Sequence, residues 1–426
     1  MRRKEENENT IIRTYKNKLM LTKVQRKKMD YLLEKHRKLY NHCMWEWYLS
    51  YNVFRDRDTG KSIMQPDRFS QKKDLTVFRK ENPDIYKGIN RNSLDETIIR
   101  VNESWSRYFS DLKKFKTGEL NIKPGVPKFK DKGYFKSWSY TKPGNGFQIP
   151  EWKKGKKRIR IYVQELGSVR MWCNRKLEGS LGKGSIIKDA GNWYFCVTAT
   201  LDSSSIFREG NKSVGIDVGV DYFLTGSDGL VIDNPRYFEK DLDQYRKLHC
   251  ILSRKAKGSP GEKRALLVLQ KKYKRIRNLR KEYLIKVVNE LVSTYDFIAI
   301  EHFKVTPYIW DGKTKESSLS RKQRAALNRE RRLAVKLSLS ISDTSWYMFF
   351  NILKYKAEEA GVSLVKVNMK NNVNAQRKEN PKKETSSVIL NKALIGAKIL
   401  LDANKLKSKK SDVEIIVKGA NIRNFC

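Results

Sequence analysis

Behind a polar leader, apolar and polar residues alternate through TIIRTYKNKLML, and apolar positions then recur at helical spacing through VQRKKMDYLLEKHRKLYNHCMWEWYLSYNVF. A period of two predicts a strand and a period near 3.6 a helix, so an early strand feeds a long helix. The helical period returns in SLDETIIRVNESWSRYFSDLKKFK, and KPGVPKFKDKG breaks it with two prolines and two glycines, ending helical structure near Lys116. Trp45, Trp47 and Trp105 fall in these helical stretches and read as core. From about Phe129 to Leu201 the period shortens again in KSWSYT, RIRIYV, SVRMW, SIIKDA and NWYFCVTATL, separated by Gly, Pro and charged turns. These runs predict a small β-barrel. The first strand belongs with them, since alone its edge would go unpaired.

SSSIFREGNK is a polar connector, and a new domain starts near Lys212 with SVGIDVGVDYFLTGSDGLVI, two β-rich runs around glycine turns. Residues 234–294 are highly charged, with KGSPGEK as a turn and ALLVLQKKYKRIRNLRKEYLIKVVNELV as a long basic amphipathic helix. STYDFIAIEHF then reads as a buried strand with a carboxylate at its end. A basic polar stretch follows, then the helix ISDTSWYMFFNILKYKAEEAG, the strand VSLVKVN, a further apolar helix SSVILNKALIGAKILLDAN and a short DVEIIVKG run.

Charge changes the picture. The 426 residues carry 90 Lys and Arg against 47 Asp and Glu, a formal charge of +43 spread along the chain. A folded, aromatic-rich protein with so many dispersed cations is suited to a polyanion, and nucleic acid rewards it by counterion release. No apolar run approaches the ~20 residues of a membrane span, and MRRKEENENT has no signal-peptide core, so the expected location is the cytoplasm. The five cysteines are far apart with no C-x-x-C pair, so neither a disulfide framework nor a zinc ribbon is encoded.

Two acids stand at the ends of β-rich runs, Asp217 in VGIDVGVDYF and Glu301 in FIAIEHF. Carboxylates gathered on adjacent strands suit a two-metal phosphodiester nuclease, in which hard oxygen ligands hold Mg²⁺ ions that clamp the attacking and leaving oxygens. Two acids by themselves more often fill surface or turn roles. His302, beside Glu301, reads as incidental.

The strings GIDVGV, IAIEHF and SISDTSWYMFFNILKYKAEEAGVSLVKV, in this order, resemble the nuclease domain of the TnpB and small type V CRISPR effector family. The third string is the most specific, with Ser342, Asp343, Trp346, Tyr355, Lys356, Ala357 and Gly361 in the family's pattern. The resemblance implies an α+β multi-domain fold: a wedge-type β-barrel (1–20 and 125–205), an inserted helical recognition lobe (21–124), and an RNase H-like, RuvC-type α/β domain without a zinc ribbon (212–426). It implies a guide RNA and double-stranded target DNA with an adjacent motif as partners, and no membrane.

Matched residue by residue, Asp217 takes the place of the first catalytic aspartate and Glu301 that of the glutamate. Elsewhere the pattern departs. VNMKNNVNAQRKENPKKETSS has no cysteine where the family has two C-x-x-C pairs, and with Asn391 matching the family's helix-opening Asn, Ile389 falls where the third acid belongs. Asp402, in DANK, is the candidate for a relocated ligand. The sequence reading is therefore RNA-guided DNA binding without cleavage, similar to the nuclease-dead TnpB-like repressors called TldR, with no zinc. The alternatives are an Mg²⁺-dependent RNA-guided endonuclease with a rearranged third ligand, and a guide-free basic nucleic-acid-binding protein. Candidate nucleic-acid contacts are Lys128 and Lys130, and in the basic helix Lys271, Lys272, Lys274, Arg275, Arg277, Arg280 and Lys281.

Overall fold

A computed structural model describes residues 10–54, 65–202, 212–301 and 343–367, and the backbone of 413–417. The chain divides into two compact units, Met1–Asp202 and Ser203–Cys426.

In the first unit β1 (Thr10–Met20) leads into three helices, α1 (Lys23–Asn52), α2 (Arg68–Glu81) and α3 (Arg91–Lys116). Six strands follow: β2 (Ser137–Tyr140), β3 (Phe147–Gln148), β4 (Arg158–Val163), β5 (Gly167–Trp172), β6 (Ser180–Asp189) and β7 (Asn192–Asp202). They form one antiparallel sheet in the order β2-β6-β7-β1-β5-β4-β3. β1 joins its halves, pairing with β7 from Thr10 to Lys18 and with β5 through Leu19 and Met20. The outer strands β2 and β3 are not hydrogen-bonded to each other, yet Tyr140 of one packs on Phe147 of the other at 6.0 Å, so the sheet is nearly closed.

Each helix starts on a side-chain cap, which satisfies amides that the first turn leaves without partners. Thr22 and Gln25 form a reciprocal capping box on α1, Asp67 accepts from Phe69 and Ser70 on α2, and Asn90 accepts from Ser93 on α3. One continuous core joins helices to sheet through Met29, Leu32, Trp105, Trp138 and Phe195, all buried. Trp105 is core as expected and Trp47 packs against it, but Trp45 is 49% exposed. Successive helical positions turn by about 100°, so residues two apart cannot share one face.

The second unit builds a six-stranded mixed sheet in the order β10-β9-β8-β11-β12-β13. These strands are β8 (Ser213–Val218), β9 (Tyr222–Gly226), β10 (Val231–Asp233), β11 (Phe297–Glu301), β12 (Ser363–Val367) and β13 (Val413–Val417). β8, β11 and β12 are mutually parallel in the centre, with antiparallel partners outside. Parallel strands covered on both faces read as nearly unbroken apolar runs, and VGI, FIAI and SLV do so. The charged segment 234–294 contains two helices, α4 (Tyr237–Ser253) and α5 (Pro260–Thr294), with KGSPGEK at their junction. The C-terminal half of α5 and α6 (Trp346–Ala360) supply the core through Leu284, Val288, Leu291, Phe349 and Leu353. Gly361, left-handed at φ +66°, ends α6, as a helix C-terminus favours. The expected helix carrying Ile389, Asn391 and Asp402, the cysteine-free stretch before it, and His302 lie outside the described residues.

Candidate nucleic-acid interface and carboxylate pair

Parallel pairing of β8 with β11 runs from Ser213 opposite Phe297 to Ile216 opposite Ile300. Asp217 and Glu301 each stand one step further on, at the carboxyl edge of two central strands. Neighbouring strands lie about 4.8 Å apart and residues in register share a face, so the two acids sit side by side. Their outer neighbours in the sheet are Thr225 for Asp217 and Val367 for Glu301. Both acids are half-buried, where the apolar runs end. The carboxyl edge of parallel strands is where open α/β sheets hold ligands. Among the described residues no three His, Cys, Asp or Glu side chains gather as a metal site, so the pair fits at most part of a ligand set.

The candidate cations of α5 fall into two kinds. Ser259 caps the helix and Pro260 opens it, and its core-facing stripe passes through Leu269, Ile276 and Leu284. Off that stripe, Lys271, Arg275, Arg277 and Lys281 are exposed and Lys274 is half-buried. Lys272 and Arg280 instead serve the protein itself. Lys272 Nζ lies 2.7 Å from Asp241 and 2.6 Å from Gln244 on α4, while Arg280 grips Asp343 through Nε at 2.9 Å and Nη2 at 2.6 Å. In the first unit Lys128 is exposed, and the Lys130 backbone is held to α1: its N–H donates to Asn41 Oδ1 at 2.8 Å and its carbonyl accepts from Asn41 and Arg37. Beside Lys128, Phe129 forms an exposed aromatic cluster with Trp45 and Tyr48.

Comparison with known proteins agrees with this layout. The family OrfB_IS605, "Probable transposase", matches residues 198–308, the span from β7 through β11 that holds both acids and both basic-segment helices. Over 247 residues the chain is 26% identical to "Putative RNA-guided DNA endonuclease InsQ" of Escherichia coli (strain K12), covering 58% of this chain and 57% of that protein. It is 28% identical over 176 residues to "Putative RNA-guided DNA endonuclease" of Streptomyces pristinaespiralis, covering 41% and 38%. Through this span the chain is similar to the TnpB and small type V effector family. It spans roughly half of the curated relatives it matches. The Cas12f1-sgRNA-target DNA complex, solved by cryo-EM, contains a chain that aligns at a TM-score of 0.49 and 12% identity, covering 90% of this chain and 99% of that one.

Asp343 has a part that sequence reasoning did not assign. It is 6% exposed, and besides Arg280 its carboxylate accepts from the amides of Phe238 at 2.9 Å and Glu239 at 3.2 Å. Those are first-turn amides of α4. The residue at the N-cap position, Arg236, is left-handed at φ +50° and offers no side-chain cap, so an acid more than a hundred residues away does the capping. Arg280 completes the junction by lying over Phe238, 5.6 Å from the ring centre. One carboxylate thus ties together α4, α5 and the approach to α6. Among the described residues no helix is long and apolar enough to cross a membrane.

Proposed function

We propose that this chain is an RNA-guided DNA-binding protein of the TnpB type that occupies its target without cutting it, as a repressor does. The reading rests on the acid set: the pairing of β8 with β11 puts Asp217 and Glu301 together at the carboxyl edge, and the sequence resemblance puts Ile389 where the third acid belongs. An apolar side chain cannot ligate Mg²⁺ or balance the charge of two dications, so in-line hydrolysis by a two-metal site loses a direct ligand. Binding is a separate matter, since affinity rests on dispersed cations and base pairing.

The central strand order, with the first strand of the unit flanked by an antiparallel hairpin on one side and parallel strands on the other, supports an RNase H-like, RuvC-type identity for residues 212–426. The nearly closed sheet and its inserted helices support wedge and recognition-lobe roles for the first unit. A guide RNA and a double-stranded target with an adjacent motif are the partners this reading requires. The retained acid pair and the endonuclease names of both relatives favour a second reading, a nuclease with a relocated ligand such as Asp402.

The deciding experiment incubates the protein, purified with its RNA, with matched target DNA in Mg²⁺ or Mn²⁺. Saturable, guide-dependent binding with intact DNA is expected, and Asp217→Ala should bind equally well. Cleavage that Asp217→Ala or Asp402→Ala abolishes establishes the second reading instead. If no discrete RNA copurifies and binding is guide-independent, the guide-free alternative stands.

A further inference from the structure

The β4–β5 hairpin presents a face that the proposed function leaves unassigned. Inward positions Ile159, Ile161, Val163, Val169 and Met171 are buried, and the outward ones are Arg158, Arg160, Tyr162, Ser168, Arg170 and Trp172. Register sets Arg158 opposite Trp172, Arg160 opposite Arg170 and Tyr162 opposite Ser168. No outward position on the hairpin is acidic, and among the described residues none of the three arginines has a carboxylate partner. Like charges directly opposite one another destabilise an antiparallel pair, so Arg160 facing Arg170 costs the free protein stability that a bound anion would return. Tyr162 and Trp172 are 47% and 41% exposed, although large aromatics are ordinarily covered. The Arg158 guanidinium lies 5.4 Å from the Trp172 ring centre, so that ring is already part of a cationic surface. Exposed Lys153, Lys154, Lys156 and Lys157 precede the hairpin in the chain.

The face is also held in place. Glu165, in the hairpin turn and 3% exposed, accepts from the Asn90 amide at 3.0 Å and the Tyr140 hydroxyl at 2.8 Å, and Gln25 donates to the Ser168 carbonyl at 3.1 Å. A solvated barrel face would have no need of paired arginines between exposed rings. Outward rows along a strand are about 6.7 Å apart, which puts Tyr162 and Trp172 about 13 Å apart along the strands with the arginine row between. Bases in a duplex have their faces covered by neighbouring bases, so rings on a sheet can stack only on unpaired ones.

We infer that the outward face of the β4–β5 hairpin binds an unpaired segment of RNA, with bases stacked on Trp172 and Tyr162 and phosphates held by Arg160 and Arg170. This rests on the proposed function for the presence of a resident RNA.

The test uses the full chain stripped of nucleic acid at high salt and a short unstructured RNA, the same sequence as single-stranded DNA, and its RNA duplex. Trp172→Ala should weaken unpaired RNA about tenfold, with Trp172→Phe restoring most of the loss and duplex RNA nearly unaffected. Replacing Arg160 and Arg170 with Ser should flatten the dependence of log K on log salt by about 0.7 per phosphate no longer neutralised. Ultraviolet crosslinking of the unmodified protein to the RNA should label the peptides holding Tyr162 or Trp172, which makes the outcome independent of any variant's folding. Equal losses on duplex and unpaired RNA, no loss with either variant, crosslinks confined to other peptides, or tighter binding of single-stranded DNA each overturn the inference. If the unmodified protein binds none of the three nucleic acids, the proposed function falls with it, whereas binding that ignores the hairpin variants removes the hairpin alone.

Discussion

The two units bury polar groups in different ways. In the first, polar side chains sit inside an aromatic core. The ring of His36 is fully buried, stacked on Trp138 at 5.4 Å, with Nδ1 2.9 Å from the Thr97 hydroxyl and Nε2 3.3 Å from that of Ser93. Gln71 and Asn90 are likewise buried and partnered. In the second unit α4 buries no residue at all, and it is held by Asp343, by Lys272 with Asp241 and Gln244, and by the packing of Tyr245 on Tyr273. Hydrogen bonds enclosed in a core resist salt, even where the acceptor is a buried carboxylate as Glu165 is for Asn90, whereas attachment of a surface helix through charges ties it to the electrostatics of its surroundings. In the second unit the basic helix α5 therefore carries both exposed candidate cations and the charged seam that holds α4.

Removing the carboxylate at that seam is the harshest test of the contrast. Asp343→Ala deprives α4 of its cap and leaves Arg280, itself largely covered, beside no counter-charge. Breaking such a pair from one side costs about 3–5 kcal/mol. Denaturant melts should show the loss, and hydrogen exchange should place it in α4 and the middle of α5 while α1 and α3 keep their protection. Equal loss of protection in all four helices would mean that the two units do not differ in this way.

Acid should reverse the contrast. Burial pulls His36 down from 6.5 to about 3. Between those values the unfolded chain binds a proton that the folded one does not, so stability rises with pH across the window. The contribution is complete above about pH 6.5 and is lost progressively as pH falls toward 3, at up to about 1.4 kcal/mol per pH unit. Stability of the unmodified protein measured across this range should therefore slope more steeply than that of His36→Gln. Parallel slopes would show that the ring accepts a proton in place.

How much of this could be read from residues alone depends on whether the signal was local. Period-two alternation marked β1, β4, β5 and β7, and the apolar runs ending in Asp217 and Glu301 marked β8 and β11. α2 escaped because it buries only Gln71 and Leu75, and α4 because its apolar positions Phe238, Leu242, Tyr245, Leu248 and Leu252 are set among charges and only half-buried. The Pro66-Asp67 pair ahead of Ser70 was the available signal for α2, a cap placed before its helix. That the two acids are neighbours needs strand order, which composition does not encode, and that Asp343 caps α4 needs a contact across 105 positions. The basic helix was legible as basic, but not the difference between Lys272 and Arg280, which hold α4 and the approach to α6, and exposed cations such as Arg275 and Lys281.

Asp67→Ala gives a smaller effect on the local side of that division. The carboxylate accepts from the amides of Phe69 and Ser70 at 2.6 and 2.8 Å, and these bonds hold its pKa below the usual aspartate value. Loss of such a cap costs about 1 kcal/mol. Exchange confined to the first turn of α2 should report it, and protection lost along the whole helix would mean that Leu75 does not anchor the remainder.

The smallest effect on stability is expected where the effect on binding should be clearest. Arg275 and Lys281 are exposed on α5, on the same helix as Lys272 and Arg280, which are paired inside the unit. Substituting Ala for both exposed residues leaves the core packing intact, so stability should stay within about 0.5 kcal/mol of the unmodified protein. If they meet phosphates, binding should weaken alike for every sequence, and the slope of log K against log salt should fall by about 0.9 for each phosphate of duplex DNA that is no longer neutralised. Lys272→Ala should behave in the opposite way, loosening α4 in hydrogen exchange and leaving the salt slope nearly unchanged, because its charge is already engaged by Asp241. A salt slope indifferent to Arg275 and Lys281 would put that face of α5 in plain solvent, and a slope that responds equally to all three would erase the distinction between cations that hold the fold and cations that hold the ligand.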